Sequence, residues 1–171
     1  MNTDHIIMLE VIISGGQTGV DIAGLIAGKA SGLKTGGWMP KGFRRLDGNF
    51  PDMQIEFGMK EHESWNYKLR TYCNVRDGDA TLRIAHNFYS PGEICTKKAI
   101  SYYERPFLDL CITSLDPVDK VAEWIINGNF RVLNVAGNSE QTFSGIQKKS
   151  VTYLTAVFGL VAQNRGILKK I

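Results

Sequence analysis

Gly15, Gly16 and Gly19 fall between a short apolar run, Val11-Ile12-Ile13, and an Ala/Gly/Leu-rich stretch with helical spacing. A strand, a tight glycine turn and a helix start in that order make an anion site. Glycine lets the backbone come close to a ligand, and the free amides of the first helical turn point at it. Phosphate is the usual occupant. Within the same turn Gln17 and Thr18 can add side-chain hydrogen bonds. Asp21 serves either as a helix cap or as a ligand contact, and the sequence leaves both open.

Other residues with chemical potential are grouped along the chain. Trp38, Met39, Pro40, Lys41 and Gly42 combine an aromatic plate, a rigid turn and a cation. A flat heterocycle stacks on Trp and a lysine balances phosphate, unless Trp38 is core and Lys41 solvated. Arg44 and Arg45 follow as surface charges able to close over an anion. Arg70 and Asn74, four apart, share a helical face. They either grip phosphate and read a base or sugar, or tie the helix to the strand ends. Asp77 and Asp79 flank Gly78, which reads as turn chemistry rather than a metal site. His5, His62 and His86 are scattered without metal-ligand spacing. His86 and Tyr89 stand near a strand end where a base could stack, and Gly137, Asn138, Ser139 and Glu140 can form a hydrogen-bonding shelf. No nucleophile–base pair is legible, so neither a catalytic residue nor a metal ligand is assigned.

These side chains need a frame that gathers distant segments. Five β-like runs alternate with helical patterns: Ile6 to Ile13, Lys34 to Trp38, Ala80 to Ala85, Phe107 to Thr113 and Arg131 to Val135. Helices are expected over about 21–30, 64–75, 94–103, 116–126 and 144–163, with Pro117 suited to a first turn. In the second, Trp65, Leu69, Tyr72 and Cys73 recur at helical spacing, with Arg70, Asn74 and Asp77 on the other side or the end. Residues 40–61 read as one long polar loop, a candidate lid. Near-continuous apolar strands alternating with helices predict an α/β fold, a parallel sheet of about five or more strands covered on both faces. Ligands then bind beyond the carboxyl ends of the strands. One domain over residues 1–171 is expected.

Composition narrows the function classes. Hydrophobic residues make up 43% and charged residues 22%, a globular balance. A net charge of +3 is too mild to argue for nucleic acid. Neither a membrane-spanning run nor a signal peptide is legible, so a cytoplasmic location is expected. Cys73, Cys95 and Cys111 are odd in number and widely spaced, which reads as reduced, partly buried thiols.

The runs Gly15-Gly16-Gln17-Thr18-Gly19-Val20-Asp21, Gly36-Gly37-Trp38-Met39-Pro40-Lys41-Gly42, Arg70-Thr71 with Asn74-Val75, Asp79-Ala80-Thr81-Leu82 and Val132-Leu133-Asn134-Val135-Ala136-Gly137 resemble those of the molybdenum-cofactor carrier family. They stand in the family's order across most of the chain. That family lies in the SLOG superfamily of Rossmann-like proteins, with the lysine-decarboxylase-like phosphoribohydrolases. The resemblance implies a three-layer Rossmann-like fold that binds a nucleotide or pterin phosphate and assembles as a homo-oligomer. In the third-turn motif it points to Ser90, Gly92 and Thr96. Three departures bear on function. Ile22 replaces a usual arginine, Glu93 replaces a small residue, and Ala99 occupies the position of the related hydrolases' catalytic glutamate. The expectation is a non-catalytic binder of a phosphate-bearing nucleotide or pterin, with molybdenum cofactor or a sequestered signalling nucleotide, cyclic or ADP-ribose-derived, as cargo. The alternative is a nucleoside-phosphate hydrolase or transferase using Glu93, Asp77 or Asp79.

Overall fold

Strands buried on both faces need apolar side chains at consecutive positions, and the chain supplies them where the sheet is most central. The computed structural model describes residues 8–168. Its elements, in chain order, are β1 (Val11–Ile13), α1 (Val20–Ala30), β2 (Lys34–Met39), β3 (Arg44–Arg45), β4 (Gly48–Asn49), α2 (Met53–Phe57), β5 (Met59–Glu61), α3 (Tyr67–Asp77), β6 (Ala80–Ala85), α4 (Pro91–Tyr103), β7 (Phe107–Cys111), α5 (Val118–Asn127), β8 (Val132–Gly137) and α6 (Ile146–Leu168). Six strands form one sheet in the order β5-β2-β1-β8-β6-β7, and every neighbouring pair is parallel. All six residues of β6 are buried.

On one face α1, α5 and α6 pack together over the largest core cluster, which includes Val20, Leu82, Ile84, Leu110, Ile125, Leu133 and Phe158. On the other face α3 and α4 pair, with Val75, Ala99 and Ile100 buried between them. A third cluster, built on Leu25, Met39, Met53, Phe57 and Met59, fills the space beside β2 and β5. The result is the α/β, Rossmann-like, three-layer arrangement that the alternation predicts.

Several boundaries differ from the sequence reading. Ile6 lies outside the described residues, and β1 begins only at Val11. Glu10 nevertheless donates to the Arg131 carbonyl at 2.9 Å, and its own carbonyl accepts from Lys34 at 3.0 Å. The polar stretch 40–61 is not one loop. It folds into a β3–β4 hairpin, the short α2 and the sixth sheet strand, β5. Thr35 Oγ1 donates to the Phe57 carbonyl at 2.9 Å, and Gly58 takes a left-handed φ of 68° that closes α2. α4 starts three residues earlier than expected because Pro91 fits a first turn.

The face of α3 is also inverted. Trp65 and Leu69 are exposed, whereas Thr71, Asn74 and Val75 are buried. The inner side of this helix meets the polar ends of strands rather than the apolar sheet face, so its buried stripe is partly polar. Asn66 caps it, with Oδ1 accepting from Lys68 N at 2.8 Å.

Candidate functional site

A cavity of about 520 Å³ lies at the carboxyl end of β8, beside the turn after β1. Its floor is Asn134, Ala136 and Gly137 of β8. Gly15, Gln17 and Asp21 form one wall, and Tyr67, Lys68, Arg70, Thr71 and Asn74 of α3 another. The start of α4 closes it with Ser90, Pro91, Gly92, Glu93, Cys95 and Thr96, while Leu46, Asn138, Ser139 and Thr142 stand at its edge. This is the edge at which parallel α/β sheets bind ligands.

The glycine turn corrects one expectation. Its amides are not free. Gly15 and Gln17 donate to the Asp21 carboxylate, Gly16 to Ser14 Oγ at 3.1 Å and Thr18 to Gln17 Oε1 at 3.0 Å. Gly19 donates to Gln147 Oε1 at 3.2 Å, and Val20 to the Asn138 carbonyl at 3.1 Å. Gly19 sits at φ 87°, and a methyl there would come within 2.3 Å of the Asn138 carbonyl oxygen. Gly19 is needed because the loop after β8 packs onto it, whereas side chains at Gly15 and Gly16 would run into Arg70 and Met39.

The start of α4 is the opposite case. Pro91 has no N–H, and the N–H groups of Gly92 and Glu93 meet no acceptor among the described residues. Ile94 is the first to find one, the Ser90 carbonyl, at 3.0 Å. Two orphan amides with the positive end of a 13-residue helix behind them therefore open on the cavity.

Charge in the cavity is arranged in two pairs. Arg70 Nη1 lies 3.5 Å from Asp21 Oδ2, both side chains largely buried. Burial raises the Asp21 pKa against the pull of Arg70 and the two amides. Glu93 is held by Arg83, whose Nη1 lies 3.2 Å from Glu93 Oε2, and Arg83 also makes a two-pronged bond to Asp109. Arg83 interrupts an apolar strand for this purpose. Burial outweighs the arginine at Glu93 and pushes its carboxyl up to about 7. The carboxylate that sequence alone sets against a phosphate is thus tied down and half neutral near pH 7. Burial likewise pushes the Cys95 thiol up.

Two buried polar atoms in this wall have unused hydrogen-bonding capacity. Tyr67 Oη and Arg70 Nε find no partner among the described residues. The Tyr67 ring lies between two guanidinium groups, Arg44 at 5.2 Å and Arg70 at 5.8 Å from its centroid. Such orphans are uncommon in folded proteins.

Of the residues singled out in the sequence, Gly15, Gln17, Asp21, Arg70, Asn74, Ser90, Gly92, Thr96, Gly137 and Ser139 line the cavity. Gly16, Thr18, Gly19, Trp38, Lys41, Gly42 and Tyr89 do not line it. Trp38 Nε1 donates to Asp77 at 2.8 Å, and Lys41 rests over the Trp65 ring. Thr18 Oγ1 donates to Gln141. Asn74 lines the cavity but also binds both backbone polar groups of Trp38, fastening α3 to β2. Asp79 accepts from Arg131 and Val132 N, a long-range tie to the start of β8 rather than the local turn bond the sequence suggests. His86 stacks near Phe143, and His5 lies outside the described residues.

Sequence reasoning left out Tyr67, Lys68, Thr71 and Asn134. Asn134 is buried and donates to Thr81 Oγ1 on β6 at 3.2 Å. A polar side chain inside an apolar strand is the signal that could have found it. Asn138, read only as part of a shelf, is buried and accepts from His86 and Asn87 N. It fixes the loop that presents the start of α4.

No curated protein matches the chain. A solved structure, a putative molybdenum carrier protein from Syntrophus aciditrophicus SB, superposes with a TM-score of 0.79 at 30% identity, covering 92% of this chain and 99% of that one. A model of the circularly permutated YpsA SLOG family matches residues 12–158, most of the length. The SLOG resemblance read from the ordered motifs is thereby confirmed, and this chain belongs to the circularly permutated YpsA SLOG family.

Proposed function

We propose that the protein binds and retains an anionic small molecule in this cavity, a phosphate-bearing nucleotide or pterin. The observation that carries the reading is the pair of buried orphans, Tyr67 Oη and Arg70 Nε, in the wall of a polar cavity. Arg70 and Lys68 supply charge, and the Gly92 and Glu93 amides donate to anionic oxygen. The phosphate seat is therefore assigned to the start of α4 and not to the turn at residues 15–19. The solved relative is named a molybdenum carrier protein, which supports a molybdenum-bearing cargo, with a signalling nucleotide as the competitor. Among the described residues, no group of three His, Cys, Asp or Glu side chains is placed to grip a metal ion directly. A molybdenum cofactor would be held through its phosphate and pterin, as cargo. No helix among the described residues is long and apolar enough to cross a membrane. The reading takes the protein as a cytoplasmic, single-domain homo-oligomer.

Native mass spectrometry of the purified protein tests this directly. A retained small molecule, released unchanged on denaturation, is expected, and Arg70→Gln should lower its occupancy at least tenfold. A protein with no retained mass and no affinity for any nucleotide or pterin phosphate would overturn the reading.

One observation favours a second reading. Glu93 lines the cavity with its carboxyl near neutrality, the state a general acid needs. Hydrolysis of a nucleoside monophosphate would then yield free base, and Glu93→Gln would abolish it.

A further inference from the structure

Tyr89 opens onto a second groove, of about 640 Å³, on the outer side of α3 and α4. Its side chain is 86% exposed, and Tyr102 in the same groove is 71% exposed. Tyr72 and Phe88 line it between them, and Lys97 and Lys98 supply its charge. None of its described lining residues is acidic. Its one arginine, Arg83, is already neutralised by Glu93 and Asp109. Neither lysine forms an ion pair among the described residues. Lys97 instead rests 3.3 Å from the Phe107 ring centroid.

The composition discriminates between partners. Protein-binding surfaces favour tyrosine but are depleted in lysine. A duplex keeps its bases enclosed and offers no flat face to an exposed ring. Single strands offer both features the groove can use, stackable bases and a regular row of phosphates, and every base has a face to stack. The mild net charge of the whole chain conceals this local concentration.

We propose that this groove binds a short single-stranded nucleic acid segment. Bases stack on Tyr89 and Tyr102, and Lys97 and Lys98 neutralise phosphates. The site is separate from the cavity and stands or falls without it.

Fluorescence anisotropy on the full chain tests the proposal, with labelled oligothymidylate, the same strand in a duplex, and polyglutamate as probes. The single strand should bind at least tenfold more tightly than either competitor. Two neutralised phosphates predict a slope of log affinity against log salt of about −1.4. Tyr89→Ala and Tyr102→Ala should each weaken binding about tenfold, and Lys98→Gln should reduce the slope by about 0.7. Tyr102 also packs on the rings of Tyr72 and Tyr103, at 5.9 and 4.9 Å, so a circular dichroism melt verifies that both variants keep the fold. Equal binding of duplex or polyglutamate would reduce the effect to diffuse attraction and overturn the proposal. So would an unchanged affinity in the double tyrosine variant. Self-association in sedimentation that the double variant abolishes, with no strand bound, would make the groove a contact between copies and also overturn it.

Discussion

The turn after β1 and the start of α4 both lead into helices at the carboxyl edge of the sheet, and both carry glycine. In the first, the amides of Gly15 to Val20, six in succession, are taken up within the chain by Ser14, Gln17, Asp21, Asn138 and Gln147. In the second, Gly92 and Glu93 keep theirs open toward the cavity. The missing side chain at Gly19 is filled by the loop after β8, whereas a methyl on Gly92 would meet nothing within 4 Å. In the first motif glycine marks a close approach, and the approaching body is the protein itself; in the second it leaves open space. A glycine motif therefore signals geometry, and burial decides whether a ligand shares it.

The contrast breaks most decisively at Gly19. Alanine there must hold a φ near 87° and place a carbon 2.3 Å from the Asn138 carbonyl oxygen, so the loop must move. Strain of about 1–3 kcal/mol for the dihedral adds to overpacking of similar size. A loss of at least about 3 kcal/mol is expected in urea denaturation. A midpoint within error of the parent would mean that the loop yields freely and that the turn is not a closed junction.

Glu93 gives the next largest effect, and its sign follows from burial. The folded carboxyl sits near 7 against a reference of 4.5. Between those values the unfolded chain has lost the proton that the folded chain keeps, so stability falls as pH rises. At about 1.4 kcal/mol per unit the loss reaches about 3 kcal/mol by neutrality. Glu93→Gln should flatten this part of the profile and leave the Arg83–Asp109 bonds in place. A parent protein whose stability rises steadily from pH 4.5 to 7 would show that Arg83 dominates after all. Asp21, also raised by burial, adds in the same direction.

Much of this frame is legible in the sequence, and the gaps have physical causes. Apolar runs reveal β1, β6 and β8 because these strands are central and covered on both faces. β5 escapes because Met59-Lys60-Glu61 is a short edge strand with one buried residue. The buried face of α3 escapes because Leu69 and Trp65 supply a helical period without packing inward. The cavity's membership depends on β8 inserting between β1 and β6, which brings Asn134 beside Thr81. No local pattern encodes that neighbourhood. Arg70 is legible as a candidate anion contact, but Tyr67 is not, because its ring is covered only once the β3–β4 hairpin brings Arg44 over it. Gln17 and Thr18 are visible as polar, but their distant partners are not: Gln17 Oε1 accepts from Leu46 N, and Thr18 Oγ1 donates to Gln141, 123 residues away.

Gln17 offers a smaller test of closure. Its Oε1 accepts from Thr18 N and from Leu46 N at 2.9 Å, latching the hairpin to the turn. Gln17→Ala should cost about 1 kcal/mol and speed amide exchange at Leu46, because a partly exposed hydrogen bond is worth little net. Unchanged exchange would show that the hairpin is held by Arg45 over Phe50 and the Asp47 pair instead.

The smallest effect belongs to Gly92, and it is the one that separates the two junctions. Its φ is not in the left-handed region and its missing side chain faces open space. Alanine there restricts the unfolded chain and suits the helix, so stability should rise by about 0.4–1 kcal/mol. The melting temperature would move upward where Gly19→Ala moves it down. Ligand binding sharpens the point, since a methyl beside the Gly92 amide crowds an anion seated on it. A variant that is more stable yet binds phosphate more weakly separates the cost of building the helix start from its use. A destabilised Gly92→Ala would instead place the start of α4 in the same class as the turn after β1, and the distinction between closed and open amides would be lost.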